Sequence, residues 1–294
     1  MRLGPFDTSK IKVRSSDGGG GGGGIGRTGS VGCGTLIIAL IGALVFGLDP
    51  MQTIGMVQGV QQQAAPAQGA GGGRELSEEE ICTGSTYATE ASNALTNLND
   101  TWRATFQRAG MQFEEPGLDL FRNGRVNTEG CGSATSASGP FYCPADNRIY
   151  IDTTFYDQLA RMAGTGGDFA RIYVIAHEYG HHVQNMTGLM DQVRREQHRN
   201  PAANNRLQVA MELQADCYAG LWAGKNRNLI EPGDLEEGLK AASAVGDDTL
   251  LSNAGQQVVK ESFTHGSSSQ RMAALRLGLE ARDDRACEVF FEGG

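Results

Sequence analysis

Histidine is scarce in this chain, five in 294 residues, and positive charge is outnumbered: 25 Lys and Arg face 34 Asp and Glu, a formal charge of −9. The imbalance sits in the larger, later part. Up to Gly73 five basic residues meet three acidic ones, which leaves 20 basic and 31 acidic, a net −11, for residues 74–294. An acidic domain with no basic stripe excludes nucleic acid as a partner. There is no His-rich or Cys-rich tract of the kind metal storage or sensing needs, no Cys–His pairing that marks a thiol nucleophile, and no internal repeat. Low-complexity sequence fills much of the first quarter, and the roughly 220 residues that follow are ample for one buried core.

What is present begins with an expected disordered segment, residues 1–30, whose unbroken glycine run at 18–24 cannot pack a core. Residues 31–48 carry no charge. At 1.5 Å per residue a helix there spans roughly 27 Å, close to the bilayer core, and reads as a transmembrane helix. The nearest small-x-small cleavage site, Ala65-Pro66-Ala67, lies far beyond the apolar run and carries a proline. A retained anchor is therefore expected rather than a cleaved signal. The net +3 of the leading segment keeps the N-terminus in the cytoplasm and puts the domain outside it. Residues 49–76, rich in Gln, Ala and Gly, form a flexible tether, and the globular domain runs from Ser77 to residue 294.

Within that domain Ser77-Glu78-Glu79-Glu80 fits a capping box opening a helix to about Arg108, with Tyr87, Leu95, Leu98, Trp102 and Phe106 facing the core. Residues 111–152 read as strands and loops, 147–152 most clearly as a strand. Helices follow near 154–163, from Asp168 through the next motif, at 204–223, 234–245 and 268–281. Asp168, after two glycines, is a plausible N-cap.

Three of the five histidines stand together in Ala176-His177-Glu178-Tyr179-Gly180-His181-His182. His177 and His181 are four apart, so on a helix both imidazoles share one face and reach one metal ion. Glu178 lies about 100° round the helix from His177, beside that ion, where it can handle a bound water. Phe169, Ile172, Tyr173 and Ala176 give the same helix a buried face. Two imidazoles and a carboxylate with one position open to water suit zinc. A third histidine in the pattern His-x-x-Gly-x-x-His is excluded, because Gln184 and Thr187 stand where Gly and His are required. The best third ligand is Glu212, 31 residues after His181 on a separate helix, with Asp216 one turn further on as hydrogen-bond partner of a ligand imidazole. Their neighbours are mostly apolar, and a largely buried helix carrying two acids needs partners for them.

The motifs at 177–184, 212–217 and 264–271, with the stretch 139–146, resemble the predicted neutral zinc metallopeptidase family of bacteria, which is membrane-anchored and similar to the Glu-zincins. The resemblance covers most of residues 77–291. It implies a zincin-like α+β fold, mostly helical with a small sheet, and peptide hydrolysis. In similar Glu-zincins a late-loop histidine stabilises the oxyanion, a role open to His265. The other reading of His265 is a loop histidine in water. Arg271 can pair with a buried acid, His182 points off the ligand face, and His198 lies in a charged run. Cys82 is not part of the family pattern. Cys131 and Cys143, twelve apart round a Gly-rich loop, suit a disulfide outside the cytoplasm, and Cys217 with Cys287 offers a second; Cys33 lies in the apolar run. The expected function is a membrane-anchored zinc endopeptidase acting on a peptide or protein substrate, with Glu178 as general base. Strand 147–152 is expected to hold the substrate at a free edge. The alternative is a non-catalytic, zinc-containing, membrane-tethered binding module.

Overall fold

The structure is a computed structural model that describes residues 1–16, 76–122 and 124–291. Strand β1 (Val13–Ser15) opens the chain. After the next described residues come helices α1 (Glu78–Thr83) and α2 (Thr86–Arg108). Strands β2 (Gly117–Phe121), β3 (Arg125–Asn127), β4 (Ser133–Thr135), β5 (Phe141–Cys143) and β6 (Arg148–Asp152) follow. The remainder is helical: α3 (Thr154–Ala163), α4 (Asp168–Met186), α5 (Leu189–Arg199), α6 (Asn204–Lys225), α7 (Asp234–Ala244), α8 (Asp247–Asn253) and α9 (Ser268–Glu280). The architecture is α+β, mostly helical with a small sheet. That sheet has the order β1-β2-β6-β5, with β5 antiparallel to β6 and the other pairs parallel; β3 and β4 form a separate antiparallel pair.

Local chemistry sets the first two helix starts. Ser77 and Glu80 close the capping box, each side chain accepting from the other residue's backbone N–H. The expected single helix from there to Arg108 is instead two. Gly84 caps the first, and the Ser85 side chain accepts from the Ala88 N–H to start the second. Leu95, Leu98, Trp102 and Phe106 of α2 enter the core, while Tyr87 is partly buried at its margin. Gly167 takes the N-cap position of α4, not Asp168, which is the first helical residue and binds the Met1 amino group at 2.9 Å. The charged helix α5 and the short α8 were not foreseen. Gly188, at φ 75°, supplies the left-handed turn that lets the chain re-enter a helix straight after α4.

Two expectations are corrected by the sheet. Strand β6 has no free edge: it lies between β2 and β5, and Ile149, Tyr150 and Ile151 are fully buried. A strand covered on both faces reads as a continuous apolar run rather than as an alternating one. Secondly, residues 1–16 of the expected disordered segment 1–30 are part of the fold. Val13 to Ser15 pair with Leu118 to Leu120, and Met1, Ile11 and Val13 are buried. Arg14 Nε donates to the buried Asp119 at 2.5 Å, and the Asn99 side chain donates to the Lys10 carbonyl at 2.8 Å. Residues 1–16 and 76–291 thus form one folded body, and a single membrane crossing between them would set its two parts on opposite sides. The expected span at 31–48, Cys33 and all but Leu76 of the expected tether at 49–76 lie outside the described residues. Among the described residues no helix is long and apolar enough to cross a membrane.

His182 shows how the motif helix is locked to the sheet side of the molecule. It is fully buried, its Nδ1 lies 3.0 Å from the Tyr142 hydroxyl of β5, and its Nε2 donates to the Glu114 carbonyl at 2.7 Å. Burial disfavours the charged ring and lowers its pKa from 6.5 to about 4. A depressed histidine pKa means that the unfolded chain binds the proton more readily. The stability from the neutral ring is present above pH 6.5 and is lost as pH falls towards 4. Urea melts should therefore show about 2 kcal/mol more loss of stability between pH 7 and pH 5 in the wild type than in His182→Gln. Equal losses in the two proteins would contradict this assignment.

Candidate metal centre

The centre is built where α4 crosses α6. Gly180 makes the crossing possible: a Cβ there would stand 2.8 Å from Ala215 Cα and 2.9 Å from its carbonyl oxygen. The glycine inside the histidine motif is thus a packing requirement that brings the third ligand within reach.

His177, His181 and Glu212 come together, each buried or nearly so, with one donor atom apiece lying mutually within 4.8 Å. Glu212 Oε2 is 3.2 Å from His177 Nε2, and Glu212 Oε1 is 3.5 Å from His181 Nε2. Both rings present Nε2 to the shared point because Nδ1 is held elsewhere. His177 Nδ1 lies 2.8 Å from Asp216 Oδ1, and His181 Nδ1 lies 2.9 Å from Gln184 Oε1. With Nδ1–H donated, Nε2 keeps its lone pair for a metal. Burial opposes a proton on His177, but the Asp216 charge and the hydrogen bonds to Asp216 and Glu212 outweigh it and raise its pKa to about 10. Burial likewise opposes the Glu212 charge, yet His181 and His177 hold its carboxyl well below the usual range. These groups are arranged around a positive charge at one point. Two imidazole nitrogens and one carboxylate, oriented and buried, fit zinc.

Asp216, on α6, is fully buried and accepts from two other helices, α4 and α9. Oδ1 takes Tyr173 OH at 2.5 Å, His177 Nδ1 and Arg271 at 3.0 Å; Oδ2 takes Arg271 Nε at 2.8 Å. The buried acid that Arg271 pairs with is therefore the partner of a candidate ligand. Burial would raise the Asp216 pKa, but Arg271 and His177 hold it at about 2.

Glu178 is 7 % exposed, and burial lifts its pKa above the ordinary range despite the two neighbouring imidazoles. His265 is 5 % exposed, which removes the reading of a loop histidine in water. Its Nδ1 is 3.2 Å from Asp247 Oδ1, while the backbone N–H groups of Thr264, His265 and Gly266 all donate to Asp247 Oδ2 at 2.7, 2.7 and 3.0 Å. Its Nε2 is buried with no hydrogen-bond partner among the described residues. Asp247 was missed from sequence: it is one of several acids in the last third, and nothing local ties it to a histidine eighteen residues on.

The remaining candidates lie apart from the ligands. His198 is exposed. Cys131 is bonded to Cys143 and Cys217 to Cys287, while Cys82 is a buried free thiol. A second acidic group, Asp168, Asp234 and Glu237, already holds a cation, since the Met1 amino group lies 2.9 Å from Asp168 and 3.0 Å from Asp234.

Over residues 7–290 the chain matches the family described as "Putative neutral zinc metallopeptidase". It is 41 % identical over 282 residues to the uncharacterized protein YpfJ of Escherichia coli K12, covering 94 % of this chain and 93 % of that one. It is also 41 % identical over 191 residues to the uncharacterized protein Rv2575 of Mycobacterium tuberculosis H37Rv, covering 60 % and 63 %. No solved structure matches it. With a match of that extent, and with both motif histidines meeting Glu212 at one buried point, the chain belongs to the family of putative neutral zinc metallopeptidases.

Proposed function

We propose that the protein is a zinc-dependent endopeptidase of zincin-like arrangement, held by His177, His181 and Glu212, with Glu178 as general base. The observation that carries this reading is a three-residue ligand set with a buried, pKa-raised glutamate beside it. A structural zinc site closes all four positions with protein ligands and needs no such base, which disfavours the non-catalytic binding module. Zinc bound there supplies Lewis acidity to a scissile carbonyl and to a water. Glu178 takes the proton of that water and delivers it to the leaving amine. Protonated on both nitrogens, His265 gives Nδ1–H to Asp247 and offers Nε2–H to the developing oxyanion.

The substrate is a peptide in extended form, added to the edge of β5 rather than to β6. β5 is the antiparallel edge strand, and Tyr142 ties it to α4, lying 3.0 Å from both His182 and Asn185. Two disulfides favour an oxidising compartment outside the cytoplasm. On this reading residues 1–16, being part of the same folded body, lie in that compartment too, and the apolar run at 31–48 is the proposed attachment to the bacterial cytoplasmic membrane.

Zinc content and casein turnover, measured together, separate the roles. Glu178→Gln should keep one zinc per chain and lose turnover by at least about 10³-fold, and wild-type turnover in that variant would sink the mechanism. Glu212→Ala should lose zinc as well as activity, and Asp216→Asn should bind zinc about 10–100-fold more weakly. His265→Ala should lower kcat about 10²–10³-fold with zinc retained; an unchanged kcat would remove it from the chemistry. For the topology, protease added to spheroplasts should remove an N-terminal tag and digest the domain together. A tag protected while the domain is digested would show that residues 1–16 do not share its compartment.

A further inference from the structure

His177 is held by a charged network, but His181 is held by a neutral one that leads out of the centre. Gln184 stands one turn after His181 on α4 and is fully buried. Its amide orientation is fixed from the nitrogen side: Nε2 donates to the Met211 carbonyl at 2.7 Å and to Gln214 Oε1 at 3.0 Å. That leaves Oε1 as the acceptor that His181 Nδ1–H requires. Gln214, 2 % exposed, is fixed in turn, since its Nε2 donates to the Cys287 carbonyl at 3.1 Å. Cys287 is fully buried and is bonded to Cys217, the residue after Asp216. The chain of contacts runs from the His181 imidazole through two amides to a carbonyl that a disulfide holds in place. Gln184, Gln214 and Cys287 are all buried, so a break between any two of them leaves a buried donor or acceptor unsatisfied.

Resting on the metal reading of the centre, we propose that Gln184 and Gln214 are positioning residues for His181, and that the zinc affinity of the centre depends on the intact Cys217–Cys287 disulfide. Gln184 acts directly by fixing the Nδ1–H tautomer, so that Nε2 faces the metal. Gln214 acts by holding the Gln184 amide, and Cys287 by holding that of Gln214. The Cys131–Cys143 disulfide ties β5 to the Thr128–Gly132 loop and has no such link.

The test is zinc affinity of the full chain by chelator competition, with the His181 tautomer read from ¹⁵N–¹H imidazole spectra. Gln184→Leu should weaken zinc about 10–100-fold and release His181 from the Nδ1–H tautomer. Gln214→Leu and Cys217→Ala/Cys287→Ala should each weaken it about 10-fold, and combining these two should add no further loss, because both break one chain of contacts. Cys131→Ala/Cys143→Ala should leave the affinity unchanged. Should Gln184→Leu fail to fold, the Gln214 and cysteine variants carry the test. Wild-type affinity and tautomer in them, or losses that add in full, would overturn the proposal while leaving the metal centre in place. Failure of the wild type to bind zinc would instead overturn the metal reading.

Discussion

The arrangement depends on one buried anion. Asp216, on α6, sits where α4 and α9 meet its helix, and both neighbours send it donors: Tyr173 and His177 from α4, Arg271 from α9. An unpaired carboxylate at that depth would cost several kcal/mol in lost hydration. Here every oxygen is engaged, and Arg271 meets both with a geometry that lysine cannot reproduce. Removing one partner of such a pair typically costs about 3–5 kcal/mol. The same contacts that keep the three helices in register also turn the His177 ring, so the stability of the helical half and the geometry of the metal centre rest on one set of atoms.

The two candidate ligand histidines are oriented by different chemistry. His177 faces an ionised carboxylate neutralised by a guanidinium, while His181 faces an amide oxygen with no charge behind it. An anionic partner makes an imidazole a stronger donor to a metal than a neutral amide does. Arg271, 3.3 Å from His177 Nδ1, tempers that effect. The carboxylate of Glu212, which bridges the two Nε2 atoms at 3.2 and 3.5 Å, closes the set.

What was legible in the sequence was local. His177, Glu178 and His181 share a helix face by spacing alone, Ser77 and Glu80 announce their capping box within four residues, and Glu212 with Asp216 stand out as acids on an apolar helix. What was not legible depends on distance along the chain. Strand β1 is three residues long, too short to show a period, and its partner lies about a hundred residues on, past a glycine run that dominates the composition. Asp247 meets His265 only because the α8 start folds back under the 264–266 loop. Gln184 looked like a mere departure from a histidine pattern, and its role appears only when Gln214 and Cys287 are beside it. The strand at 148–152 reads as apolar, but whether it is an edge or a centre is decided by β2 and β5, not by its own residues.

X-ray absorption at the zinc edge of the wild-type protein tests the central claim most directly. The account predicts two imidazole nitrogens and one carboxylate oxygen at about 2.0–2.2 Å, with a fourth, non-protein oxygen. A sulfur neighbour at about 2.3 Å, or a shell closed by four protein ligands, would contradict it.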